Sequence, residues 1–288
     1  MALKDLLVWL DRTQSSFVNL RLAADLARRH GSRMTALYVR EWSPAQLAHR
    51  NTAELAGRSL ADVEALGSDA EASIDESALE ARTEVERVAR EYGVPIEWRV
   101  ADGEPSRVLP QHARYADLCI LDVQTPAAST SAGYRFSEEM LFVSGRPVLL
   151  VPELSEFATL GAHIAIAWNS SRAAARAIND ALPVLERAER VTVITVNPAE
   201  FIGGRHGSLP LPRLLEHLER HGIYARPVEV SDVPLGAIAD VLQERAIEEG
   251  ADLIVAGAHG HVWLREMLLG SVTRDLLARL RLPVMMSH

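Results

Sequence analysis

The sequence predicts two tandem α/β domains, each a doubly wound sheet of parallel strands flanked by helices. Three observations carry that expectation. Strand-like and helix-like segments recur in the same order in the two halves. The strand-like segments are short continuous apolar runs rather than alternating ones, as in sheets covered by helices on both faces. And 288 residues suffice for two domains that each bury their own core.

In chain order, Leu6-Leu-Val-Trp-Leu-Asp11 is the first strand and is matched by Ile164-Ala-Ile-Ala-Trp-Asn169; each run ends on a short polar residue. Helix patterns follow over Phe17 to His30 and over Arg172 to Arg187. The second strands, Met34-Thr-Ala-Leu-Tyr-Val39 and Val191-Thr-Val-Ile-Thr-Val196, are rich in β-branched residues. Later, Ala116-Asp117-Leu118-Cys-Ile-Leu matches Ala251-Asp252-Leu253-Ile-Val-Ala. The halves close on Arg146-Pro147-Val148 and Leu282-Pro283-Val284. Four matched elements in one order mark a tandem duplication, and each half reads as five strands separated by helices. The expected domains are 1–153 and 160–288, divided where Glu153, Ser155 and Glu156 interrupt the apolar pattern. The first half alone carries an extra helical stretch, about 52–92, which Gly67-Ser68 can divide into two helices. A lid or partner surface is one reading of it; a solvated helix packed on the sheet is the plainer one.

Composition narrows the possibilities. Hydrophobic residues make up 48% and charged residues 24%, values of an ordinary globular protein. A net charge of −9 argues against general nucleic-acid binding, which needs cationic patches. No apolar run is long enough to span a bilayer, and the N-terminus lacks the pattern of a signal peptide. The single cysteine, Cys119, lies in an apolar run, excludes an intrachain disulfide and fits a reducing cytoplasm.

The chemically suggestive segment is Gly257-Ala-His-Gly260, then nine residues, then Gly270-Ser271-Val272-Thr273. It follows the strand-like Leu253 to Ala256 and leads into a helix pattern, Arg274 to Leu280. Glycines at a strand end let backbone approach a ligand closely, and a helix start capped by Ser271 would attract phosphate. Glycines that merely punctuate turns are the alternative. Neither Gly-x4-Gly-Lys-Ser/Thr nor Gly-x-Gly-x-x-Gly after the first strand is present.

The spacing Gly-x2-Gly-x9-Gly-Ser resembles, position for position, the ATP-binding signature of the universal stress protein family. The resemblance covers nearly the whole chain, twice. It implies a five-stranded parallel sheet in each half and, in the second, a nucleotide against the ends of strands one, two and four. Asn169, followed by Ser170 and Ser171, stands where ATP-binding members usually carry an aspartate. It would contact ribose or base, with Ser170 beside it in the site, or else cap the helix from 172, a role that Ser170 or Ser171 could fill equally well. Val196 stands where the family packs adenine, with plain strand core as its other reading. Gly257, Gly260 and Gly270 would form a phosphate cradle, with Ser271, Val272 and Thr273 offering N–H groups and hydroxyls. His259, beside Gly260, would reach a phosphate or simply sit exposed in the loop.

The first half departs from the pattern. Asp122-Val-Gln-Thr125 replaces Gly257-Ala-His-Gly260, and Gly133-Tyr-Arg-Phe-Ser replaces Gly-Ser-Val-Thr. A carboxylate at Asp122 repels phosphate and the β-carbon of Thr125 crowds it, so Asp11 is expected to be a helix cap. His217 and His221, four apart on an expected helix, have zinc-binding spacing but no third ligand. Gly203-Gly204-Arg205-His206-Gly207 is a loop near the expected ligand. No catalytic constellation stands out.

The resemblance thus implies a cytoplasmic stress-response protein binding ATP (or ADP or AMP, with Mg accompanying the nucleotide) in its second domain. It would regulate by ligand-dependent conformation rather than turn over substrate. The two domains would pair within the chain through their last strands, and chains could form homodimers. The alternative is a scaffold or small-ligand protein on the same fold that holds no nucleotide.

Overall fold

A computed structural model describes residues 2–11, 13–40, 60–123, 132–152, 160–198, 211–258, 260–261, 268–269 and 271–288. The first half contains β1 (Asp5–Leu10), α1 (Gln14–His30), β2 (Arg33–Arg40), α2 (Leu60–Tyr92), β3 (Ile96–Asp102), α3 (Pro105–Ala113), β4 (Leu118–Val123), α4 (Ala132–Val143) and β5 (Val148–Pro152). The second contains β6 (His163–Ala167), α5 (Arg172–Leu185), β7 (Arg190–Val196), α6 (Leu211–Arg220), β8 (Ala225–Val230), α7 (Ile238–Glu248) and β9 (Leu253–Gly257). The short β10 (Gly260–His261) and β11 (Leu268–Leu269), then α8 (Ser271–Ala278) and β12 (Val284–Ser287), complete it.

Each half contributes five parallel strands in the same order, third, second, first, fourth, fifth. The two five-stranded sheets meet through their last strands, as the resemblance implied: β5 and β12 pair antiparallel and fuse them into one ten-stranded sheet. Across this seam Leu150 faces Val284, Leu149 faces Met285 and Val148 faces Met286. All six are buried, so both edges that separate halves would expose are covered.

Strand residues alternate between the two faces, as the pleat requires. In β1, Leu6, Val8 and Leu10 join one core with α1, α2, α5 and α6, while Leu7 and Trp9 join the other with α3, α4, α7 and α8. Two hydrophobic layers therefore run under both halves, which explains why the inner strands are apolar throughout; the edge strands β3 and β8 depart from that expectation and expose residues such as Glu97 and Glu229. Cys119 lies in the second layer, fully buried, and burial pushes its thiol up to about 12. It is an inert packing group.

The repeated Ala-Asp-Leu motif has a shared structural function. Asp117 accepts the backbone N–H groups of Lys4 and Asp5, at 2.7 and 3.1 Å. Asp252 accepts those of Gly161, Ala162 and His163, at 3.0 to 3.1 Å. In each half a carboxylate before the fourth strand pins the start of the first.

The insertion departs from expectation in one respect. Within the described residues it is a single helix of 33 residues running through Gly67-Ser68, not two helices. Residues 52–59 lie outside the described range. Its last turns pack Ala81, Val85 and Val88 onto the core shared with α1.

Where the halves meet, Arg29 of α1 donates to the Leu160 carbonyl. Next to it, burial first, then Arg187 and Arg29, lowers the His30 pKa from 6.5 to about 4. Between those values the folded protein holds fewer protons here than the unfolded chain. The stabilisation is whole above about pH 6.5 and is lost as pH falls toward 4. Because the ring is partly exposed, solvent screening reduces the effect to on the order of 1–2 kcal/mol. His30→Gln should therefore lose less stability than the parent between pH 7.5 and 4.5. Urea midpoints at the two pH values check this, and equal losses would contradict it.

Candidate functional site

The site expected from the sequence sits at the carboxyl ends of β6, β7 and β9, the ligand side of a doubly wound sheet. After β6 the chain turns through Asn169, Ser170 and Ser171 into α5. Ser171 is the N-cap: its hydroxyl accepts the Ala174 N–H at 3.1 Å. Asn169 is not the cap. Its Oδ1 accepts the Ser171 N–H at 3.1 Å, closing the turn that sets up the cap, and its side chain is exposed. Ser170 takes the left-handed conformation this turn needs, at φ 58°. Asn169 thus reaches solvent at the strand end with an amide nitrogen that has no partner among the described residues.

Val196 ends β7 buried, in the apolar layer that Ala167 and Val272 also pack against. The residue after it, Asn197, went unnoticed in the sequence. At φ 52° and 5% exposed, it donates Nδ2 to the Val233 carbonyl at 2.7 Å and accepts the Val233 N–H at 3.0 Å. It ties the end of β7 to the loop after β8. Asparagine directly after an apolar run, able to turn left-handed, was the available signal.

Gly257 closes β9 against the start of α5. A β-carbon there would lie 2.3 Å from the Ala174 nitrogen and 2.4 Å from the Ala173 carbonyl carbon. Its lack of a side chain is demanded by helix–strand packing, before any ligand is considered. Beyond it, Gly260 pairs with Leu269 and His261 with Leu268, so the ends of the nine-residue excursion are held together as an antiparallel ribbon. His259 and Gly270 lie outside the described residues. Ser271 is the first helical residue of α8 and not its cap, because the helix starts one position earlier than a cap there would require. Ser271 is exposed, Val272 half-buried and Thr273 buried.

The first half shows the same frame with different side chains at the strand ends. Asp11 accepts from the Thr13 N–H at 2.8 Å and the Thr13 hydroxyl at 2.5 Å, while Thr13 itself caps α1 by accepting from Ser16. Asp11 therefore supports the cap rather than being it, as Asn169 supports Ser171. In the place of Gly257 stands Asp122, 2% exposed, whose carboxylate accepts the Ser15 hydroxyl of α1 at 2.9 Å. The rings of Trp9 and Phe136 meet at 4.8 Å and 57°. By the repeat these occupy the positions of Ala167 and Val272. Two aromatic rings thus stand in the first half where the second has two small side chains. Thr125 lies outside the described residues.

Other expected groups resolve simply. The His217 and His221 rings meet edge to face at 4.9 Å, and no group of three possible metal ligands occurs among the described residues. The loop 203–207 lies outside them. A groove of about 390 Å³ between α1 and α2 is lined by Gln14, Phe17, Arg21, Glu80, Thr83 and Glu84. Its Glu84 is ion-paired with Arg87 and Arg21, which hold that carboxyl below its usual range. Among the described residues no helix is long and apolar enough to cross a membrane.

The fold is a tandem pair of doubly wound α/β domains. The sequence profile of the universal stress protein family matches residues 2–126 and again 162–288. The chain belongs to that family. It is similar to the universal stress protein MJ0577 of Methanocaldococcus jannaschii, 31% identical over 75 residues, covering 26% of this chain and 44% of that protein. The chain thus matches less than half the length of that relative. Among solved structures, a universal stress protein from Archaeoglobus fulgidus superposes with a TM-score of 0.72 at 17% identity, over 98% of this chain and 97% of that one. One from Pseudomonas aeruginosa gives 0.55 at 17% identity, over 99% and 93%. These two likenesses concern the fold.

Proposed function

We propose that the second domain binds ATP or a related adenine nucleotide at the carboxyl ends of β6, β7 and β9. The chain then acts as a cytoplasmic, ligand-dependent regulator rather than a strong catalyst. What supports the reading is the asymmetry between two halves of one frame. The half that keeps Gly-x2-Gly-x9-Gly-Ser has small side chains in the matching places, Ala167 at the end of β6 and Val272 in the first turn of α8. The half that lost the glycines carries Trp9, Phe136 and Asp122. The residues present fit an anionic ligand in part. The start of α8, at Ser271 and Val272, is of the kind that attracts an anion. The glycine spacing brings no carboxylate, so any Mg would be held by the phosphates. ATP, ADP and AMP share the groups these residues would recognise. Two chains would associate through surfaces outside the seam, since β5 and β12 already occupy each other.

Asn169 favours a second reading, a scaffold without nucleotide, because its Oδ1 is already held by Ser171 and it brings no charge. Mass spectrometry of small molecules released from protein purified without added nucleotide separates the two. Titration with labelled ATP should saturate near one nucleotide per chain. Gly260→Val should abolish the thermal stabilisation by ATP, about 2.7 kcal/mol at a hundred times Kd, with the ligand-free protein still folded. Unchanged stabilisation in Gly260→Val would leave the scaffold reading.

A further inference from the structure

The chain leaves β9 through Ala258, and what holds that exit comes from elsewhere in the fold. Ala258 is fully buried, and its N–H donates to the Ser287 carbonyl at 2.8 Å. Nδ1 of His288 lies 3.1 Å from the Ala258 carbonyl oxygen. A carbonyl only accepts, so Nδ1 carries the proton in this contact. The His288 ring meets Phe142 edge to face, with centroids 4.5 Å apart and planes at 73°. Phe142 belongs to α4 and therefore to the first half. In the repeat, Pro152 of β5 stands where His288 stands after β12, and proline has no side-chain proton to give. Only the half with the intact glycine spacing carries this contact.

We propose that His288 is a positioning residue for the ligand loop of the second half, itself oriented by Phe142 of the first half. The proposal rests on the nucleotide reading above for its functional consequence. Fixing the Ala258 carbonyl fixes the peptide plane on which the chain departs from β9 toward Gly260. A loop set in advance loses less conformational freedom when a ligand orders it. The first half thereby contributes to affinity in the second.

The test compares His288→Ala, His288→Asn and Phe142→Leu by ATP titration and by hydrogen exchange at the Ala258 amide without ligand. His288→Ala should weaken ATP binding about fivefold, the size of one net hydrogen bond, and speed exchange at Ala258. His288→Asn should restore most of both, because its carboxamide N–H can reach the same oxygen. Phe142→Leu should shift both in the same direction, and adding it to His288→Ala should cost little more, since the two act through one contact. Parent-like affinity and exchange in His288→Ala, or an Asn variant that rescues neither, overturns the proposal. If the parent takes up no ATP, the nucleotide reading falls. Exchange at Ala258 then decides the positioning contact alone, and an unchanged rate overturns it.

Discussion

Gly257→Ala should destabilise the protein by about 4 kcal/mol, because the new methyl meets backbone and not a side chain that can swing aside. The contacts at 2.3, 2.4 and 2.8 Å all belong to Ala173 and Ala174, so relief requires moving the first turn of α5. That turn includes the Ser171 cap, and the cap hydrogen bond should weaken with it. Gly236→Ala is the matched control. Nothing lies within 4 Å of a β-carbon at Gly236, and its φ is ordinary, so that change should be neutral or slightly stabilising. Thermal melts of the two variants beside the parent decide the matter. A Gly257→Ala protein melting like the parent would show that the strand–helix approach is looser than described.

Asp252→Ala should cost about 3 kcal/mol, and Asp117→Ala clearly less. Hydrogen bonds to a charged acceptor contribute more than neutral ones, and Asp252 accepts three N–H groups where Asp117 accepts two. The Asp117 bonds are also more exposed, so water replaces them more readily. Asp252→Asn retains one acceptor oxygen and should fall between Asp252→Ala and the parent. Denaturant unfolding gives the order directly, and an Asp117→Ala loss equal to that of Asp252→Ala would show that burial does not govern it.

The strands and their duplication were legible because apolar runs and β-branched clusters are local signals that survive in any context. The start of α5 at Arg172 was legible, but the caps were not: Asp11 supports the cap Thr13, Asn169 supports the cap Ser171, and Ser271 lies within its helix. A short polar residue can cap a helix or support a cap through the same kind of hydrogen bond, and composition does not separate the two. The unbroken α2 is a case of tertiary packing outweighing propensity: a glycine within a helix costs about 1 kcal/mol, which burial of Ala81, Val85 and Val88 farther along offsets. The glycine spacing was readable. That Gly257 is required by α5 was not, since the contact joins residues more than eighty positions apart. Neither Trp9 with Phe136 nor His288 with Phe142 could be paired in advance, for the same reason.

The seam between β5 and β12 has the geometry of a twofold dimer written into one polypeptide. By the repeat, Val148 corresponds to Val284 and Leu150 to Met286, and the pairs Val148–Met286 and Leu150–Val284 exchange under a pseudo-dyad passing between Leu149 and Met285. In a true homodimer every substitution appears on both sides of such an axis at once. Here each side mutates alone: leucines at 149 and 150 correspond by the repeat to methionines at 285 and 286, a swap that nearly preserves volume. The same freedom allows Trp9 and Asp122 at the strand ends of one half and Ala167 and Gly257 at those of the other. A symmetric dimer would carry the same residues at both.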